Sequence, residues 1–193
     1  MEKNKIIRKP VESKELQHQH KGSEIKASGS CGDDLTFAFE SGVLSISGQG
    51  PMYDYSSSES PLWESYKNSI NKVIIYEGVT RIGTEAFMKC INLLNVTLPI
   101  SLESTGGYAF STCVSLKEIV IPEGITDLSQ HLFEFCSSLE SIQMPKALNG
   151  IVYYTFANCI SLKSIVLPEN LTYIQAYAFI NCSNLEKVTY LGT

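Results

Sequence analysis

From Ile70 to the C-terminus, apolar and polar positions recur every 23 residues. Phenylalanine stands at Phe87, Phe110, Phe133, Phe156 and Phe179, and cysteine at Cys90, Cys113, Cys136, Cys159 and Cys182. Leu93, Leu116, Leu139, Leu162 and Leu185 keep the same interval, with Ile70 one unit earlier, and so do Pro99, Pro122, Pro145 and Pro168. Four columns in one register define five full units and a partial sixth, Leu185 to Thr193. Within one unit, Ile165 and Leu167 alternate with Ser164 and Val166, which predicts a short strand with one face inward. Pro168 withholds an N–H and ends that strand. Leu171 and Ile174 predict a second short extended piece, Ala178 and Phe179 a small and a large inward side chain, and Cys182 the closure of the coil. One coil cannot cover its own apolar positions. Stacked coils can, each large side chain gaining roughly 1.5–3 kcal/mol and strands pairing in parallel about 4.8 Å apart. The period therefore predicts a solenoid.

Before the repeats, Leu35, Phe37 and Phe39 alternate with Thr36 and Ala38. A turn at Glu40–Gly42 leads to Val43, Leu44 and Ile46, so the pattern predicts a β-hairpin. A solenoid end is an open sheet edge that needs a cap, and the hairpin stands where an N-terminal cap belongs. Ser47 to Ser60 reads as a loop, and Pro61 to Lys67 as a short helical turn around Trp63. Residues 1–30, rich in Lys, Glu, Gln, Ser and His without apolar periodicity, are expected to be disordered. The division is thus 1–30 as an unstructured segment, 31–69 as cap and 70–193 as solenoid.

The unit C-x-x-L-x-x-I-x-I-P-x-x-V-x-x-I-G-x-x-A-F resembles the repeat of BspA-like leucine-rich-repeat proteins. It stands here as Cys113-Val-Ser-Leu116-Lys-Glu-Ile119-Val-Ile121-Pro122, and the first repeat supplies Val79-Thr-Arg-Ile82-Gly83-Thr-Glu-Ala86-Phe87. Cys31 to Phe37 and Leu44 to Tyr55 resemble that family's N-terminal cap. The resemblance implies an α/β leucine-rich-repeat solenoid, stacked coils forming a parallel β-sheet behind a hairpin cap. It also implies surface proteins of mucosal bacteria and protozoan parasites that adhere to host proteins or other cells. The chain departs from the pattern in places. Glycine is kept at Gly83 and Gly106 but replaced by Ser129, Val152 and Gln175, alanine becomes Leu132 and Thr155, and Thr105 takes an inward aliphatic slot.

A net charge of −5 argues against nucleic acid, whose phosphates need clustered Lys and Arg. No apolar run approaches the roughly 18 residues of a membrane span, so no membrane insertion is expected. Met1 to Pro10 lacks the apolar stretch of a signal peptide. Either the protein stays inside the cell or its leader has been removed, and the sequence leaves both open.

No catalytic constellation emerges, and neither an enzyme nor a cofactor is expected. The repeat cysteines form one linear column whose neighbours sit near 4.8 Å with parallel Cβ vectors. Disulfides want converging Cβ atoms about 3.8 Å apart, and zinc wants a tetrahedron. Reduced, buried thiols and no metal follow. His18 and His20 lack a third ligand, and His131 lies five residues from Cys136 without a nucleophile's surroundings. Glu77, Glu123 and Glu169, just after the strands, read as solvated.

Two outward columns are candidate binding surfaces. On the sheet, Glu118, Ser141 and Ser164 run beside Val120, Gln143 and Val166 across the middle coils. They form either a mildly apolar recognition strip or simply strand-favouring residues facing water. At the coil edge, Tyr108, His131, Tyr154 and Tyr177 place one ring per coil. They offer a protein or glycan contact, or they pack on one another to seal the edge. The sequence favours a macromolecule-binding module at the cell surface or secreted, with protein as first partner and glycan as second. A cytoplasmic scaffold for protein–protein interaction is the alternative.

Overall fold

The computed structural model describes residues 26–192. His18, His20 and the rest of 1–25 lie outside the described residues. Four residues assigned above to the unstructured segment do have structure. Strand β1 (Ala27–Ser30) pairs antiparallel with β2 (Asp34–Glu40) in the register Ala27↔Phe39 to Ser30↔Thr36. With no large apolar residue, β1 has no hydrophobic period to betray it; backbone pairing with β2 defines it.

The hairpin of β2 and β3 (Val43–Pro51) forms, but β3 runs on through Pro51 into the stretch read above as a loop, because Ser47 to Gln49 continue the backbone pairing with β2. Its turn residues Ser41 and Gly42 have φ of 47° and 85°, the left-handed pair whose twist matches a two-residue hairpin. The first half of β3 pairs in parallel with β4 (Lys72–Ile75), and its end pairs with β5 (Val79–Ile82). One long strand thus seeds both sheets. Trp63, just before a 3₁₀ helix at Glu64–Ser69, fills the space behind it. It is buried, meets Phe37 and Tyr55 edge to face, stacks on Phe87, and donates its indole N–H to Ala86 O at 3.0 Å.

Each coil then contributes one strand to each sheet. The first sheet carries β4, β6 (Asn95–Thr97), β8 (Glu118–Val120), β10 (Ser141–Gln143), β12 (Ser164–Leu167) and β14 (Lys187–Tyr190). The second carries β5, β7 (Ser104–Thr105), β9 (Asp127–Leu128), β11 (Gly150–Ile151) and β13 (Tyr173–Ile174). We number the coils 1 to 5 from β4, with β14 opening the sixth. Inward positions such as Leu116, Ile119, Leu128 and Leu162 are buried. The C-terminal end is the exception: Ile174 of coil 5 and Val188 of β14, in columns otherwise largely buried, are 46% and 57% exposed.

The third side is built of turns rather than helix; the only helix among the described residues is the 3₁₀ helix. Two residues per coil adopt left-handed backbone there. One column is Glu85, Tyr108, His131, Tyr154 and Tyr177, with φ from 55° to 62°, and the other is Lys89, Thr112, Phe135, Asn158 and Asn181. None is glycine, and for an L-residue this region costs about 1–2 kcal/mol. The alternation turns successive N–H groups toward the next coil. Glu85, Phe87 and Lys89 donate to Gly107, Ala109 and Ser111 at 2.8–3.0 Å, and the pattern continues as Phe133 to Thr155 and Phe156 to Ala178. Inside this wall the phenylalanine rings stack from Phe87 to Phe179 at centroid separations of 5.2–5.8 Å. Thiols of Cys113, Cys136, Cys159 and Cys182 donate to the carbonyls of Phe87, Phe110, Phe133 and Phe156 at 3.1–3.3 Å. A cysteine therefore recurs because it is a small apolar side chain that also satisfies a carbonyl of the preceding coil.

The departures from the repeat meet one another. Thr105 and Ser129 hydroxyls lie 3.0 Å apart, Ser129 also donates to Thr105 O, and Thr155 donates to Val152 O at 2.9 Å and Ser129 O at 3.3 Å. The hydroxyls at these departures are thus satisfied by one another or by nearby carbonyls.

Candidate binding surface

The first sheet brings the outward columns into the arrangement the strand alternation requires. Glu118 and Val120 stand on β8, Ser141 and Gln143 on β10, Ser164 and Val166 on β12, all exposed. Parallel pairing places Ser141 beside Glu118 and Gln143 beside Val120. Val120 and Val166 are 59% and 50% exposed, high for aliphatic side chains in regular strands. Glu118, Val120, Ser141 and Gln143, together with Asn95, Val96, Ile119 and Ile142, line a shallow groove of about 310 Å³. Ser164 and Val166 extend the same face one coil further. Asn95 was foreseeable as the β6 member of the Glu118 column. Val96, Ile119 and Ile142 were not, because strand alternation turns their side chains toward the core.

The aromatic column lies elsewhere. Tyr108, His131, Tyr154 and Tyr177 stack with centroid separations of 4.3, 4.9 and 5.1 Å and interplanar angles of 8°, 6° and 21°. Ring faces are occupied by neighbouring rings, leaving mainly edges to solvent. Tyr108 and Tyr177 end the stack, and Tyr177 is 56% exposed. Ring-on-ring stacking is the packing weighed above as the alternative to binding.

His131 and Cys136 make no pair. His131 Nδ1 lies 2.9 Å from Glu134 Oε2, while the Cys136 thiol is engaged with Phe110 O. All six cysteines are free, and burial pushes Cys31, Cys90 and Cys136 up to about 12 and raises Cys113, Cys159 and Cys182 as well. Neutral buried thiols are poor nucleophiles and poor metal ligands. Among the described residues no group of three or more His, Cys, Asp and Glu is placed to hold a metal ion, and no helix is long and apolar enough to cross a membrane.

The acidic column is not merely solvated. Glu77 accepts from the N–H groups of Ile100 and Ser101 at 3.0 and 3.2 Å, and Glu123 from Lys146 N–H at 2.8 Å. These two carboxylates tie the turn one coil ahead. Potential glycosylation sequons begin at Asn95, in the groove, and at Asn170 and Asn181, whose amides bond Lys146 O and Asn158 Oδ1.

Comparison with known proteins agrees with this geometry. No curated protein sequence matches the chain. Among solved structures, it is similar to a leucine rich cell surface protein from Faecalibacterium prausnitzii, at 21% identity and TM-score 0.55, covering 88% of this chain and 56% of that one. A leucine-rich repeat protein from Bacteroides ovatus is 26% identical with TM-score 0.52, over 81% of this chain and 51% of its own. The Treponema pallidum leucine rich repeat protein matches at 21% identity and TM-score 0.50, over 75% of this chain and 84% of its own. The chain thus spans little more than half the length of the first two. The model of the BspA type leucine rich repeat region matches residues 64–186 in six copies, and with that match the chain belongs to the BspA type leucine-rich-repeat family.

Proposed function

We propose that this chain is a non-enzymatic binding module, displayed at the cell surface or secreted, that holds a protein partner against the groove of its first sheet. The observation that carries this reading is the groove itself: a shallow 310 Å³ depression in which the exposed Val120 stands among the polar side chains of Asn95, Glu118, Ser141 and Gln143. An apolar centre within a hydrogen-bonding rim is the anatomy of a protein-recognition patch. A glycan partner is less favoured. Sugars bind aromatic faces, and here those faces lie against one another. Support for surface display comes from kinship with repeat proteins of which one is described as a cell surface protein. Free thiols would favour a cytoplasmic scaffold instead, but burial and raised pKa make them durable in an oxidising compartment too.

The test is a panel of immobilised extracellular-matrix and epithelial surface proteins with a glycan array alongside, probed with three folded chains. These are the wild type, a sheet variant (Val120→Asp, Gln143→Lys, Val166→Asp) and an edge variant (Tyr108→Ala, Tyr154→Ala, Tyr177→Ala). A protein ligand retained by the edge variant and lost by the sheet variant is expected. Loss in the edge variant alone, or glycan binding alone, contradicts the proposal. Glu118 is the groove's only charge, so binding should depend weakly on salt.

A further inference from the structure

We infer that the solenoid is articulated at one boundary, between coils 2 and 3, and consists of two cooperative blocks: the hairpin with coils 1 and 2, and coils 3 to 5. In the first sheet β4 pairs with β6, β8 with β10 and β12 with β14, whereas the described strands β6 and β8 are not paired. In the second sheet pairing runs through β3, β5 and β7 and again through β9, β11 and β13, with no pairing of β7 to β9. Between coils 4 and 5 the first sheet is also interrupted, but β11 and β13 carry the second across. Only between coils 2 and 3 do both sheets stop together.

The cause lies in one column of the repeat. A Cβ built on Gly83 would run into the Tyr53 carbonyl oxygen, and one on Gly106 into the Thr84 backbone nitrogen. At this slot the backbones of successive coils approach closely because glycine allows it. Coil 3 carries Ser129 there; coils 4 and 5 carry Val152 and Gln175 with their second-sheet strands still paired, so side-chain size alone does not part the coils and the hydroxyl of Ser129 sets it apart. The hydrogen bonds record the change. Gly106 and Gln175 N–H groups bond Ile82 O and Ile151 O at 2.7 and 2.8 Å, whereas at Ser129 the hydroxyl takes the equivalent carbonyl, that of Thr105. Thr105 in turn occupies a slot that holds Ile82, Leu128, Ile151 and Ile174 in the other coils, so the boundary also lacks an apolar contact there.

The third side is unbroken. Tyr108, Phe110 and Thr112 donate to Gln130, Leu132 and Glu134 at 3.1, 3.1 and 2.7 Å, and the rings of Phe110 and Phe133 remain stacked. Two sides free of ladder bonds and one side held make a hinge along the aromatic edge. The groove straddles it, with Asn95 and Val96 on one block and Glu118 to Val120 and Ser141 to Gln143 on the other. Where this rests on the binding surface proposed above, articulation sets the groove's width.

In a one-dimensional array, a weakened nearest-neighbour interface splits a single cooperative transition into two. Hydrogen exchange of the whole chain under increasing urea, without ligand, therefore tests the hinge independently of binding. Hydrogen-bonded amides of Phe87 and Leu94 report the first block, those of Phe133 and Phe156 the second. The two sets should exchange at rates more than tenfold apart at intermediate urea. Emission of Trp63, which sits in the first block, should change at a different urea concentration from far-UV circular dichroism. The variant Thr105→Ile with Ser129→Gly restores the repeat and should merge the transitions. Coincident transitions with one exchange class in the wild type would overturn the inference, whether or not the variant folds. So would two classes that persist unmerged in a folded variant.

Discussion

Tyr154 sits at φ 58° with its ring between His131 at 4.9 Å and Tyr177 at 5.1 Å. Two opposing effects meet in this residue and can be separated by paired substitutions. Tyr154→Ala removes both ring contacts and keeps a Cβ in left-handed backbone. At about 0.5–1.5 kcal/mol per aromatic pair beyond the buried area, it should destabilise by roughly 1–3 kcal/mol. Tyr154→Gly loses the same contacts but relieves the left-handed penalty, so it should be the more stable variant by about 1 kcal/mol. In an ordinary strand or helix the order is reversed, glycine being worse than alanine by about 0.5–1 kcal/mol. Urea denaturation of both variants, followed by hydrogen exchange at the Phe133 and Phe156 amides, reads the difference directly. Alanine equal to or more stable than glycine would refute the claim that the edge column is held in strained backbone by stacking and by the N–H ladder.

Other outcomes follow from the thiols and carboxylates. Thiol reagents should label the native protein slowly and the denatured protein at all six cysteines, Cys182 being the first to react natively because it is only partly buried. Because burial raises Cys31, Cys90 and Cys136 to about 12, the native state keeps protons that the unfolded chain releases near pH 8.5. Their stabilisation is complete below that pH and lost as pH rises towards about 12, at about 1.4 kcal/mol per pH unit for each thiol. Melting temperature should therefore fall steeply above pH 9, and Cys136→Ala should flatten the fall; an unchanged slope contradicts the burial argument. Glu123→Gln should cost less than 1 kcal/mol and Glu123→Ala about 1 kcal/mol in urea melts, because the carboxylate holds the Lys146 N–H; equal stability of wild type and Glu123→Ala would return this column to bulk solvation.

The coil was legible because its inward residues repeat. Leu116, Ile119, Ile121 and Phe133 announce their burial by type and spacing, and the outward residues of β8 and β10 follow by alternation. Three features were not legible. The left-handed column carries Tyr and His where glycine would have been the signal. The roles of Glu77 and Glu123 depend on backbone N–H groups about 23 residues ahead, and a carboxylate's own neighbours say nothing of those. Ser129 was visible as a departure from glycine, but its consequence depends on what the glycines of the preceding coils face. The groove falls in the same class: its outward side chains could be read from alternation, its depth only from the structure.

The central claim is that recognition takes place on the first sheet, across coils 2 to 4. It is tested most directly by the hydrogen-exchange footprint of the wild-type chain with and without a protein ligand captured from the immobilised panel. The account predicts added protection over Asn95–Thr97, Glu118–Val120 and Ser141–Gln143, with the amides of Tyr108, His131 and Tyr154 unchanged. Protection confined to the aromatic edge, with the sheet strands unaffected, would contradict it.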